Sequence, residues 1–365
     1  MEWIRNIIDA CRRAARRVVR RAGRTGQADF CGSAVVDGLQ VRCDRALPPE
    51  SVWNALRDGV STATGFEHYA WQRAIARCFV REGGLRVVGV FEAERPLLLL
   101  PLQLSSGRAL ESAGGAVCDY IDPLVHPAHR DRAWRCALKF LRWRWDPSVE
   151  LLALDNLPDE SPSRAAIEAS AADAGLECVT TSPAPVVRVA LPQSLEAFYA
   201  QVSANDRSNM RRRIRKIEAD GKGRLAACSS EPELMTSLQR VIGYMECRGG
   251  EKGLAARRHV GPLLLDAAAD MFRSGDLNVY TLYINEAPAA GIVVFRSPRG
   301  HLYYNSGFDP AFGEWRPGIA VCMMLLRQTI DEGAQVFDML RGQEPYKYAL
   351  GGKDSPLWRC VLRPR

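Results

Sequence analysis

The stretch YYNSGFDPAFGEWRPGIAVCMMLLRQTIDEGAQVFDMLRGQEPYKYALGGKD, residues 303–354, carries the fold in outline. Ile319, Cys322, Met323, Leu326 and Ile330 recur with the helical period over 318–333, and the run QVFDML (335–340) reads as a return strand. The helix opens at Trp315-Arg316-Pro317-Gly318-Ile319-Ala320. Its first-turn N–H groups lack partners inside the helix and sit at the positive end of the dipole, which suits a pyrophosphate. Gly318 admits close backbone approach, Pro317 presets the helical φ, and Arg316 adds charge. On residue types alone the same Pro-Gly pair also reads as an ordinary turn.

Working outward, LNVYTLYIN (277–285), APAAGIVVFRS (287–297) and GHLYYNSGF (300–308) are consecutive strands. Tight turns at Asn285-Glu286 and Pro298-Arg299-Gly300 make them an antiparallel meander. Helices at roughly 231–247 and 258–273 precede it. Before them, SNMRRRIRKIEADG (208–221) sets Met210, Ile214 and Ile217 in a buried stripe, with Arg207, Arg211, Arg212, Arg213, Arg215 and Lys216 around the rest. SLEAFYAQV (194–202) opens this half, and SPLWRCVLR (355–363) is a final strand.

The first half mixes the same elements. GLQVRCDRAL (38–47) alternates as a strand, and FEHYAWQRAIARCF (66–79) has helical spacing. LRVVGVFEA and PLLLLPLQL form a strand pair around Glu94-Arg95; a helix covers roughly 131–145, and LLALDN (151–156) is a buried strand. This order indicates an α/β or α+β domain ending near 185.

A chain of 365 residues fits two domains, and 47% apolar with 25% charged residues is the composition of a soluble globular protein. Its longest apolar runs, such as LLLLP at 97–101, are strand-sized, far short of the roughly 20 residues of a spanning helix. The eleven cysteines are scattered, odd in number and never spaced C-x-x-C, so they read as reduced core thiols, and no metal site is expected. Residues 1–24 hold eight arginines against Glu2 and Asp9, and Ile4, Ile7, Ile8, Cys11, Ala14, Ala15, Val18 and Val19 share the opposite helical face. This basic amphipathic helix (1–25) reads either as lying on an anionic membrane surface or as packing on its own domain or a partner. The rest of the chain is close to neutral, so nucleic acid is not an expected partner.

The run 303–354 resembles the C-terminal domain of the CelD/BcsL acyltransferases, GNAT-like relatives of the FemAB aminoacyltransferases. The residues that carry the likeness are Tyr303 and Tyr304, Pro317-Gly318, Phe337-Asp338, Gly342, Glu344 and Tyr346-Lys347. RSNMRRRIRKIEADG is similar to the arginine-rich helix that opens the family's second domain, and TGFEHYAWQRAI and CDYIDPLV (118–125) match its first. The resemblance covers roughly 35–365. It implies tandem GNAT-like domains of α/β (α+β) class with largely antiparallel sheets, at 35–185 and 186–365. It implies transfer of an acyl group from acyl-CoA, without a metal, to an amine or hydroxyl of an envelope, polysaccharide or small-molecule acceptor. A cytoplasmic enzyme, peripheral at the inner membrane surface through residues 1–24, fits that picture.

Such a reaction needs a polarised thioester carbonyl, a deprotonated nucleophile and a place for the leaving thiolate. Backbone N–H groups on the Asn305–Gly307 strand are candidates for the first, and Asn305, Gly307, Arg316, Gly318, Ile319 and Ala320 for holding the cofactor. Asp338 or Glu344 is the candidate base, Tyr346 the candidate proton donor to the thiolate, and Lys347 a holder of acceptor charge. On residue types alone Asp338 reads as well as a loop cap or an Arg341 partner, and Tyr346 and Lys347 as a core tyrosine and a surface lysine. Asp119, Tyr120 and Asp122 form a polar group that fits either an acceptor-contacting loop or an Asx turn before Pro123. Arg211 and Arg212 are candidates for an acceptor phosphate or the CoA 3′-phosphate, the commoner reading of such arginines being a solvated charged face. A GNAT-fold scaffold for a polysaccharide synthase is the competing reading, and a basic nucleic-acid-binding protein a more distant one.

Overall fold

The computed structural model describes residues 30–105, 108–219 and 222–365. The basic segment 1–24, with its membrane-surface reading, lies outside them. Two compact units divide the chain: the described part of Met1–Pro183 together with Leu357–Arg365, and Ala184–Pro356. Residues 357–365, read from sequence as part of the C-terminal domain, therefore belong with the first unit.

The first unit contains β1 (Gly32–Val36), β2 (Leu39–Asp44), α1 (Glu50–Arg57), α2 (Tyr69–Cys78), β3 (Leu85–Glu92), β4 (Arg95–Leu104), β5 (Ala109–Ser112), β6 (Leu124–Val125), α3 (Arg130–Trp143), β7 (Leu151–Pro158), α4 (Ser163–Asp173) and the start of β8 (Leu176–Ala190). Its sheet runs β1-β2-β3-β4-β5-β7 and continues to the 357–364 part of β14 (Lys353–Pro364). Pairings are antiparallel except β5 with β7, which α3 connects as a parallel crossover. β3 and β4 are apolar on both faces because both are covered. Leu98 and Leu100 join Trp134, Phe140 and Leu141 of α3 in the main core, while Leu99 and Phe91 pack on Trp53 and Leu56 of α1.

The second unit holds α5 (Leu195–Gln201), α6 (Ala204–Glu218), β9 (Gly223–Ala227), α7 (Glu231–Cys247), α8 (Gly250–Ala255), α9 (Gly261–Arg273), β10 (Leu277–Ile284), β11 (Ala287–Ser297), β12 (Gly300–Phe308), α10 (Pro317–Asp331), β13 (Val336–Arg341) and α11 (Pro345–Ala349). The end of β8 leads into the order β13-β12-β11-β10-β9. The meander β10-β11-β12 is antiparallel, and α10 carries the chain over to β13, parallel to β12. The two units thus repeat one plan: an antiparallel run, a crossover helix and a parallel return strand.

Helices cover both faces of this sheet. Ile292, Val294, Phe337 and Met339 pack with α6 and α10. On the other face a Cβ on Gly307 would lie 2.6 Å from Tyr244 Cβ and 2.9 Å from the Val241 carbonyl, so α7 rests directly on the β12 backbone. Ser203 caps α6, its hydroxyl accepting from the Asp206 N–H at 3.1 Å. Among the described residues no helix is long and apolar enough to cross a membrane.

The contact at Gly307 predicts a pair of opposite outcomes in urea unfolding. Gly307→Ala forces α7 off the sheet and destabilises by about 1–3 kcal/mol. Gly243→Ala, on a helical position with open space around it, stabilises by about 0.5–1 kcal/mol.

Candidate active site

β12 and β13 pair only over Gly300–Leu302 with Val336–Asp338, and beyond that they part. Two features produce the split. The β11–β12 register slips between Val293 and Val294, leaving Tyr304 as a bulge. On the other side Leu340 takes φ +56°, a left-handed conformation rare for a β-strand leucine, and Gly342 takes φ +104°. Asp338 and Lys347 hold that kink. The Leu340 N–H donates to Asp338 Oδ1 at 2.9 Å. Lys347 Nζ donates to the carbonyls of Met339 (2.7 Å), Arg341 (2.8 Å) and Leu340 (3.4 Å).

This arrangement corrects two sequence assignments. Asp338 is 2% exposed and paired with Arg188 Nε at 2.9 Å. Because Phe337 and Met339 face α10, the Asp338 side chain points to the α7 face. It is a structural carboxylate, paired with Arg188. Lys347 is 3% exposed with its three protons directed at carbonyls, so it is not a surface lysine and has no donor left for an acceptor.

The residues that meet at the split lie on the α10 face. Tyr346 O–H donates to the Tyr303 hydroxyl at 3.4 Å, and the Tyr303 and Ser306 hydroxyls are 2.5 Å apart. Burial, and then the neighbouring Cys322, pushes the Tyr303 phenol above its ordinary value; burial, and then Tyr303, does the same to Tyr346. Both stay protonated at neutral pH. Cys322, one turn into α10, is pushed up to about 12 by burial and its thiol donates to the Gly318 carbonyl at 3.3 Å, so it is an inert thiol. Glu344, at the N-cap of α11, approaches Lys347 Nζ at 3.3 Å and Lys252 Nζ at 3.9 Å. Its Oε2 is buried and makes no hydrogen bond among the described residues.

Strand parity separates the backbone groups. The Asp309 N–H bonds to the Ala289 carbonyl, so by the two-residue period the N–H groups of Gly307 and Asn305 also point toward β11. Asn305 pairs with Val293, and its side chain falls on the α7 face. Neither is placed as expected. Ser306 is the residue whose backbone faces the open side, and exposed Arg248 donates to its carbonyl at 2.7 Å.

At the start of α10, Arg316 is the N-cap with φ +46°, and its carbonyl accepts from both Ile319 (3.1 Å) and Ala320 (3.2 Å). Those two N–H groups are therefore engaged, and Ala320 is fully buried. Gly318 keeps the open first-turn N–H, while a Cβ there would meet the Phe308 ring at 3.0 Å. α6 runs beside this turn. Lys216 Nζ donates to the Glu314 carbonyl at 3.4 Å and lies 4.6 Å from the Trp315 ring centroid. Arg213, one turn earlier, has a buried Nη1 without a hydrogen bond. Its pKa is pushed down by burial and then by Arg316 and Arg212. Three clustered guanidinium groups, one half-buried with a buried Nη1 that makes no hydrogen bond, and an open helix N–H fit a phosphate-bearing ligand. Of the two arginines expected to bind substrate, Arg212 bonds Asn209 at 3.1 Å beside this cluster, and Arg211 stacks on Tyr199 at 4.6 Å.

Residues 204–348 match the family model described as acetyltransferase (GNAT) domain. The chain has a GNAT fold. Three solved structures share it: the C-terminal domain of a putative lysylphosphatidylglycerol synthetase from Agrobacterium fabrum (TM-score 0.55, 12% identity, 85% of this chain and 91% of that one), FemX (0.55, 8%, 86% and 96%) and a protein of unknown function from Bacteroides thetaiotaomicron (0.57, 10%, 87% and 98%). No curated protein sequence matches the chain.

In the first unit the corresponding split is closed. β5 and β7 pair over Ala109–Glu111 with Leu151–Ala153, and Asn156, at φ +57°, then donates to the carbonyls of Gly115 (3.0 Å) and Cys118 (2.8 Å). The loop after β5 is drawn into the gap. Asp119 and Tyr120 lie in the interior, 8% and 3% exposed, with Tyr120 edge-on to Phe66, and Asp122 Oδ1 accepts from Ser161 at 2.7 Å. The structure presents these residues to the protein's own core rather than to an acceptor. Buried Glu67 lies against the Asp122 N–H at 3.4 Å and accepts from Thr64 N–H and Oγ1 at 2.8 and 2.7 Å.

Ser306 lies within the strand expected to supply backbone donors, whereas sequence reading did not single out Arg213, Arg248 or Lys252. Gly249 and Gly250, both at positive φ after α7, were the available signal that the chain reverses there and brings Lys252 to Glu344.

Two measurements follow from these environments. Asp338→Asn lowers stability by about 3 kcal/mol, the scale of breaking a buried ion pair, and leaves the pH profile of turnover unchanged; a profile that loses its acidic limb would restore Asp338 as base. Loss of solvent pushes Glu67 from 4.5 up to about 7 and Asp122 from 3.8 up to about 6. The folded state then holds a proton on Glu67 that the unfolded chain gives up between pH 4.5 and 7, so stability falls as pH rises through that window. Glu67 alone accounts for about 3 kcal/mol, and Glu67→Gln flattens the urea midpoint between pH 5 and 8.

Proposed function

We propose that the second unit is an acyltransferase that moves an acyl group from acyl-CoA to an amine or hydroxyl. The observation that carries this reading is the Tyr346–Tyr303–Ser306 hydroxyl chain set where β12 and β13 part, beside the open first turn of α10. The coenzyme's phosphates fit Gly318 N–H, Arg213 and Arg316. Bound there, acyl-CoA supplies an activated thioester.

The chain's own groups divide the remaining work. Glu344, whose Oε2 lies 3.3 Å from Lys347 Nζ, takes the proton from the attacking amine or hydroxyl. The Ser306 N–H faces the open side and donates to the oxygen on which charge develops. Tyr346, protonated by its environment, turns its O–H from Tyr303 to the departing sulfur and stabilises the charge there as a hydrogen-bond donor. Lys347 and Asp338 act earlier, by fixing the turn that presents Glu344 and Tyr346. The likeness of 303–354 to CelD/BcsL proteins supports an acceptor from envelope or polysaccharide chemistry.

Calorimetric titration with CoA and acetyl-CoA tests the reading. Micromolar binding is expected, weakened at least tenfold in Arg213→Ala/Arg316→Ala. With a panel of amine and sugar acceptors, Glu344→Gln lowers kcat by about 10²–10⁴ with the KM for acyl-CoA unchanged, and Tyr346→Phe lowers it less. A folded protein that binds no acyl-CoA sinks the proposal.

A further inference from the structure

The Cys178 and Cys360 thiols lie together in the first unit, on the neighbouring strands β8 and β14. The strand period sets Cys178 and Thr180 on one face. Cys360 Sγ lies 3.6 Å from Thr180 Oγ1, with Cys178 two residues along the same face of β8 and close enough for the two thiols to influence each other's titration. The Thr180 hydroxyl proton is committed to Glu168 Oε1 at 2.7 Å, so Cys360 is the donor toward this face.

The two sulfurs differ in access and acidity. Cys360 is fully buried in the main core, while Cys178 is half-buried at its edge. The hydrogen bond from Cys360 favours the Cys178 thiolate and pulls its pKa down; the same contact raises Cys360. Same-face neighbours on adjacent strands have Cβ atoms about 4.5–5.5 Å apart when directly opposed and up to about 7–8 Å on the diagonal, and an S–S bond needs the strands to bring the Cβ atoms to about 3.5–4.5 Å. A reachable thiol of lowered pKa with a second thiol behind it is the pattern of a reversible oxidation site.

We propose that Cys178 and Cys360 form an oxidation site for hydroperoxides, with Cys178 the reacting sulfur and Cys360 the resolving one. Cys178 attacks the peroxide oxygen; the O–O bond breaks, the sulfur becomes a sulfenic acid and the peroxide is reduced to water or an alcohol. Cys360 then attacks that sulfur, the S–O bond breaks, and water leaves with the Cys360 proton. The product is a disulfide joining β8 to β14.

The experiment is a stepwise hydrogen peroxide titration of the reduced full-length protein, followed by alkylation under denaturing conditions and peptide mass mapping. Cys78 and Cys247, both exposed, are internal controls, since exposure alone would favour them. The expected result is a Cys178–Cys360 linked peptide that appears before either control is oxidised and disappears with dithiothreitol. Cys178→Ser, at the less buried position, leaves Cys360 alkylated throughout, and Cys360→Ser diverts Cys178 to sulfinic acid. Retention of both thiols when Cys78 and Cys247 are already oxidised overturns the proposal.

Discussion

The left-handed leucine at position 340 is the constraint on which the candidate site depends. A non-glycine residue in that conformation costs of the order of 1–2 kcal/mol, and here it is held from both sides. The Asp338 carboxylate accepts the Leu340 N–H, and the Lys347 ammonium gathers the three carbonyls around the kink. An ammonium carries a large desolvation penalty in the interior, which these three oxygens and Glu344 offset. Because Lys347 sits one residue after Tyr346 and three after Glu344, the contacts that open the split also aim the groups that could use it.

Much of this was legible in sequence. The Pro-Gly helix start, the antiparallel meander and the existence of a return strand follow from periodicity and turn residues. What sequence could not give was the face of each side chain at the split. The Tyr304 bulge shifts the parity of β12, so Asn305 goes to the α7 face while Ser306 stays beside Tyr303. A reading that alternates strictly from Tyr303 would place them the other way round. Lys347 and Asp338 were misread for a related reason: charged residues near a site resemble catalytic ones until burial shows that their bonds are spent on the backbone.

The arginine-rich helix shows the same limit. Its buried stripe of Met210, Ile214 and Ile217 is plain in the sequence and is buried in the structure. Which arginine matters depends on what α6 packs beside. Arg211 spends its cation on the Tyr199 ring and Arg212 on Asn209, whereas Arg213 and Lys216, one turn apart, meet the Glu314–Arg316 turn. Helical spacing names that pair as one edge, yet only tertiary packing says that the edge faces the α10 N-terminus.

The two units also explain why one fold can be repeated without repeating a site. Each has a parallel strand pair that parts at a left-handed residue, Asn156 in β7 and Leu340 in β13. In the first unit the amide of Asn156 reaches across to two carbonyls and ties a loop into the gap, with Glu67 and Asp122 deprived of water behind it. Leucine has no side-chain donor, so Leu340 leaves the gap in the second unit untied and the Tyr303, Ser306 and Tyr346 hydroxyls at its edge. A single residue type at the kink therefore separates the copy of the fold whose loop is tied in by a side-chain amide from the copy whose kink is held by Asp338 and Lys347.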